Sequence, residues 1–85
     1  MKKITLANAL LTSILVTCRV LKNEANLIDC PQAGGLLITR CVQIGDKTLG
    51  ITTDLKLEVC DDAGPREHMI YEFDEVDLAI DELTS

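Results

Sequence analysis

Ile4-Thr5-Leu6-Ala7-Asn8-Ala9-Leu10-Leu11-Thr12-Ser13-Ile14-Leu15-Val16-Thr17-Cys18-Arg19-Val20-Leu21-Lys22 decides how the rest of the chain folds. Ile4, Ala7, Leu11, Ile14, Leu15, Cys18 and Leu21 recur at the three-and-four spacing that puts side chains on one side of an α-helix. Thr5, Asn8, Thr12, Arg19 and Asn23 form a polar stripe opposite, and Leu6, Leu10 and Val20 widen the apolar face. A helix of this pattern is expected to be buried over much of its circumference. Arg19 and Lys22 fall near its C-terminal end, where cations are favoured by the helix dipole.

The same stretch invites a competing reading. Met1-Lys2-Lys3 followed by an apolar run has the layout of an export signal. Leu15-Val16-Thr17-Cys18 resembles a bacterial lipobox, whose cysteine receives a lipid. That resemblance implies an exported lipoprotein-like or membrane-tethered accessory protein, with Met1–Cys18 as its targeting segment. Two features weigh against it. Thr17 stands where the motif takes Gly, Ala or Ser, and Thr5, Asn8, Thr12 and Ser13 interrupt the apolar run. The run is also shorter than the roughly 20 predominantly apolar residues that cross a bilayer. The expectation is therefore a retained core helix in a cytoplasmic protein with no membrane contact.

Working outward, residues 23–35 read as a connection rich in turn formers: Asn23, Asn26, Asp29, Pro31, Gly34 and Gly35. Leu36 to Ile44 is a strand candidate, Gly45-Asp46-Lys47 a hairpin signal, and Thr48 to Cys60 a long second strand. Leu55, Leu57 and Val59 alternate with Lys56, Glu58 and Cys60, and Gly50 or the Thr53-Asp54 step is expected to bend that strand. Asp61 to Arg66 reads as a turn, and Glu67 to Phe73 as a third strand with Met69, Tyr71 and Phe73 inward. Asp74 is a candidate N-cap for a last helix from Glu75 to Leu83, with Val76, Ala79, Ile80 and Leu83 as its apolar stripe. The expected fold is α+β in the order α-β-β-β-α: an N-terminal helix, a three-stranded antiparallel meander and a short acidic C-terminal helix, all in a single domain over residues 1–85.

Cys18, Cys30, Cys41 and Cys60 contain no closely spaced pair, and His68 is the single histidine. Structural zinc sites usually include such a pair, so no metal site is expected. Cys18, Cys41 and Cys60 each fall within an expected element and read as small buried side chains, leaving Cys30 the most exposed. No nucleophile–base pattern or phosphate loop is present: Gly34-Gly35 lacks the Lys-Ser/Thr that would follow. No catalytic residue, cofactor or enzymatic activity is expected.

Charge is the remaining signal. Residues 61–85 hold nine carboxylates and one cation, Arg66, while residues 1–60 hold seven cations and five carboxylates. The acidic end repels nucleic acid and attracts basic surfaces, so direct nucleic-acid binding is not expected. The expected function is a small acidic non-enzymatic interaction protein. Its physical form would be a phage- or mobile-element-type inhibitor whose acidic face, Asp74, Glu75, Asp77, Asp81 and Glu82, docks on a basic nucleic-acid-binding surface of a protein partner. With 47% apolar residues in 85, the chain holds more aliphatic surface than one small core hides. A homodimer is expected for that reason.

Overall fold

Eighteen consecutive residues without glycine or proline, Lys3–Val20, form the first helix, α1. The structure, a computed structural model, describes residues 2–30, 35–61 and 67–85, Glu67 by its backbone alone. After α1 come β1 (Asn26–Asp29), β2 (Arg40–Ile44), β3 (Lys47–Ile51), β4 (Leu57–Asp61), β5 (Glu67–Tyr71) and α2 (Val76–Thr84). The strands pair in chain order, β1-β2-β3-β4-β5, every neighbour antiparallel. The α+β class with a helix at each end of the chain holds, but the sheet has five strands where three were expected.

Both additions have a physical cause. β1 lies in the stretch read as a connection, because Asn and Asp at its ends are poor strand formers. Pairing overrides that preference: Leu27 sits opposite Val42, and Ile28 opposite Cys41. The long strand expected over Thr48–Cys60 is instead two, joined by a tight turn at Thr53-Asp54-Leu55. Leu55 takes φ 61°. The Thr52 hydroxyl accepts the Lys56 N–H at 3.0 Å and itself donates to Asp54, which holds the Asp54 carboxyl below the usual range. Three-residue hairpin loops commonly end on a left-handed residue that is glycine. Here a leucine fills that place and packs its side chain against the core. At the other end, the Leu36–Ile44 candidate forms a strand only from Arg40, with Leu36 bridging separately to Thr52. The turn expected over Asp61–Arg66 lies, apart from Asp61, outside the described residues.

Cross-strand register sorts the sheet into two faces. Leu27, Val42, Leu49, Val59 and Met69 run in one row on the first face, with Ile51, Leu57 and Tyr71 in the next. α1 covers this face over β2 and β3, and α2 covers it over β3, β4 and β5. The core is the layer between: Ala7, Leu11, Ile14 and Cys18 of α1 and Ala79, Ile80 and Leu83 of α2, packed on Val42, Leu49, Ile51, Leu57 and Val59. On the opposite face, Leu36 folds over β3; a Cβ on Gly50 would stand 3.1 Å from its side chain.

α1 is buried along one stripe rather than over much of its circumference. Ile4, Leu6, Val16, Val20 and Leu21 are exposed, Val20 at 73%. α1 is also the one described helix long and apolar enough to cross a membrane, although Cys18 is fully buried against the sheet. α2 begins one residue later than expected, with Glu75 and not Asp74 at its N-cap position and no side-chain cap bond.

The end of α1 is a Schellman arrangement. The Asn23 N–H donates to the Cys18 carbonyl (3.0 Å) and the Lys22 N–H to the Arg19 carbonyl (2.9 Å), with Lys22 at φ 66°. Arg19 Nε then donates to the Ala25 carbonyl at 3.0 Å and turns the chain toward β1. A left-handed non-glycine residue costs about 1–2 kcal/mol, offset in part by the about 0.3–1 kcal/mol that a cation contributes at a helix C-terminus. Lys22→Gly is therefore expected to raise the midpoint of thermal unfolding by several degrees. A lowered midpoint would show that this cap does not terminate the helix.

Candidate functional site

The acidic residues come together on α2 and the turn before it. That turn closes reciprocally: the Glu75 N–H donates to the Glu72 carbonyl at 2.9 Å, and the Glu72 N–H to Glu75 Oε1 at 2.8 Å. Glu75 is thereby half-buried and committed to the backbone, while Asp74 stays exposed. With Ala79, Ile80 and Leu83 turned to the sheet, helical geometry carries Asp77, Leu78, Asp81 and Glu82 to the outer side. Leu78 is half exposed at their centre. None of Asp74, Glu75, Asp77, Asp81 and Glu82 forms an ion pair with a described cation. Their field is felt nearby: burial, followed by the Glu82, Glu75 and Asp81 carboxylates, raises the Tyr71 phenol above its ordinary range.

Lys47 is the cation nearest this helix in function, and it is already engaged. Its Nζ donates to the carbonyls of Glu82 (2.9 Å) and Ser85 (3.2 Å) and to Ser85 Oγ (2.7 Å). The ammonium satisfies carbonyls at the end of α2 that have no helical partner and favours the negative end of the dipole. A shallow depression of about 320 Å³ opens beside it, between Gly45, Asp61 and Ser85. This arrangement ties the acidic helix to β3, with Asp77 and Asp81 exposed and Glu82 half-buried.

Beside α2, the outer side of α1 is uncharged from Ile4 to Cys18. Three of its polar side chains, Asn8, Thr12 and Thr17, turn inward on the helix itself. Asn8 Nδ2 donates to the Ile4 carbonyl (3.0 Å), Thr12 Oγ1 to that of Asn8 (2.9 Å) and Thr17 Oγ1 to that of Ser13 (2.8 Å). Side chains so bonded have less call on water. The result is a helix surface of Leu6, Ala9, Ser13, Val16 and Val20 with cations only at its ends. Exposed apolar helix surface of this kind is more often covered than left wet.

Two of the four cysteines, Cys41 and Cys60, lie on the opposite sheet face. No cysteine is in a disulfide; Cys18, Cys41 and Cys60 are buried and Cys30 half-buried. Burial, then the hydrogen bond and charge of Cys30, then the charge of Cys60, push the Cys41 thiol up to about 12, which keeps it protonated and inert. Burial likewise raises Cys18. Cys60 differs in its surroundings. Register sets it directly opposite His68, and Glu58 lies two residues before it on the same face. Cys60 Sγ is 3.4 Å from His68 Nδ1 and 3.6 Å from Glu58 Oε1, and Glu58 Oε2 is 3.5 Å from His68 Nδ1. Cys60 is 5% exposed, while His68 and Glu58 form a more open rim.

Reading cysteine spacing along the chain missed this trio. The signal was present: Glu58 and Cys60 alternate onto one strand face, and the antiparallel pairing of β4 with β5 sets His68 opposite Cys60. Compared with family models, with curated proteins and with solved structures, the chain matches none.

Proposed function

We propose that the protein is a cytoplasmic, non-enzymatic interaction module whose α2 face docks on a basic, nucleic-acid-binding surface of another protein. One observation carries this reading: an exposed leucine, Leu78, ringed by Asp77, Asp81 and Glu82, none of them paired with a described cation. A carboxylate with no ion-pair partner among the described residues is available to a guanidinium or ammonium from outside, and a central apolar contact supplies the desolvated anchor that charge alone lacks. Carboxylates spaced along a helix can take the places of phosphates in a groove built for a polyanion. Retention of residues 1–18 belongs to the same reading, since cleavage before Cys18 would strip Ala7, Leu11 and Ile14 from the core.

The outer face of α1 supports a second element of the proposal, self-association. Val16 and Val20 are exposed, and the Asn8 amide and the Thr12 and Thr17 hydroxyls are bonded within the helix. The occupant is a second copy of the chain, because the uncharged centre of this face complements another like it, whereas a basic or acidic partner would find nothing there to pair.

Two measurements test these readings. In capture from host extract, the partner should be held at low ionic strength and released at high, and its nucleic-acid binding should be blocked by the captured chain. Asp77→Asn combined with Asp81→Asn should weaken capture at least about tenfold, equivalent to about 1.4 kcal/mol. Capture indifferent to salt and to both substitutions would contradict the docking reading. By light scattering the chain should have the mass of a dimer, and Val16→Glu that of a monomer with an unchanged circular dichroism spectrum. A wild-type monomer at every concentration would overturn self-association.

A further inference from the structure

Glu58, Cys60 and His68 present a carboxylate, a thiol and an imidazole nitrogen whose donor atoms all lie within 4.8 Å of one another. Two chemistries use such a trio. A nucleophile–base–orienter relay is a chain: the cysteine contacts one ring nitrogen of the histidine and the carboxylate contacts the other. Here Cys60 and Glu58 both approach Nδ1, at 3.4 and 3.5 Å, so the groups do not line up as a relay. They converge on a common point, as ligands of an ion do.

The separations are close to those that such an ion sets. Zinc bonds of about 2.3 Å to sulfur and about 2.0–2.2 Å to nitrogen and oxygen, held at tetrahedral angles, give ligand–ligand edges of about 3.4–3.6 Å. Cys60 Sγ and His68 Nδ1 are 3.4 Å apart, Glu58 Oε1 lies 3.6 Å from the sulfur and Glu58 Oε2 3.5 Å from the nitrogen, and one donor atom from each residue falls within 4.8 Å of the other two. The carboxylate lies across the third corner, with Oε1 toward Cys60 and Oε2 toward His68. Rigid elements hold all three: Cys60 and Glu58 on β4 and His68 directly across on β5. Thr48, the other cross-strand neighbour of Cys60, is buried and closes the side toward β3.

We propose that Glu58, Cys60 and His68 supply three ligands of a site for a divalent transition metal, zinc above all. One thiolate and one carboxylate neutralise the dication, which suits a chain of net charge −6. The mixed sulfur, nitrogen and oxygen set selects zinc or cobalt over magnesium and calcium, which take oxygen donors. A bound ion would bridge β4 to β5 at the edge of the sheet. This inference is independent of the docking surface, which lies on the other side of the sheet.

The test is a titration of the full chain, reduced and stripped with chelator, first with Co(II) and then with Zn(II). One Co(II) per chain is expected, with a thiolate-to-cobalt charge-transfer absorption and tetrahedral ligand-field bands, and Zn(II) should displace it. His68→Gln and Glu58→Gln lie on the open rim and should keep the fold by circular dichroism. Each should weaken binding more than about tenfold, since loss even of an outer-shell group costs about 10–100-fold. Cys60→Ser should abolish the charge-transfer band and Cys30→Ser should leave it intact. If Cys60→Ser fails to fold, the two rim variants decide the matter. Absence of the band in the wild-type chain, its survival in a folded Cys60→Ser variant, or unchanged affinity in both rim variants would overturn the proposal.

Discussion

The structure rests on the contact between the Ala7, Leu11, Ile14 and Cys18 stripe of α1 and the β2–β3 half of the sheet. α2, with nine residues, covers the other half. Neither helix alone could bury the apolar face that Val42, Leu49, Ile51, Leu57 and Val59 present. Full burial of a side chain the size of Ile14 or Leu11 contributes about 1.5–3 kcal/mol. A domain of this length is stable by only about 4–13 kcal/mol in total. The few side chains of one helical stripe are therefore a large share of what keeps the sheet from opening to water.

That constraint divides the molecule by role. The helix layer holds the core on its inner side and offers two different surfaces outward, one acidic with an apolar centre and one uncharged. The opposite sheet face, partly sheltered by Leu36, holds the thiols of Cys41 and Cys60. Its sulfur chemistry is graded by position. Cys41 is fully buried and kept protonated, while Cys60 meets two rim side chains that reach solvent. The proposed docking surface and the proposed metal site thus lie on opposite sides of the sheet and share no residue.

Much of this was legible in the sequence where local pattern and tertiary demand agree. The helical period of residues 4–21 and of residues 76–83 gave both helices, and the Gly45-Asp46 turn gave the β2–β3 hairpin, with Gly45 at φ 58°. The failures have specific sources. Leu55 holds the left-handed turn position where glycine would have marked the break between β3 and β4. Asn26 and Asp29 disguise β1, whose extended state comes from pairing rather than propensity. In α1 the apolar residues circle the helix, so periodicity could not show that only one stripe is covered. The acidic face was legible because charge needs no partner to be read. Glu58, Cys60 and His68 were not, since their meeting depends on a register that no local pattern encodes.

The central claim is that α1 is a layer of the core and not a detachable segment. Ile14 is 1% exposed and Val16, two residues on, is 53% exposed, so the pair reports on orientation within one helix. Chemical denaturation of Ile14→Ala and Val16→Ala is the direct measurement. Packing of α1 on the sheet predicts a loss of about 2–5 kcal/mol for Ile14→Ala, against about 0.5 kcal/mol or less for the surface change at Val16. Equal losses at the two positions, or none at Ile14, would contradict it.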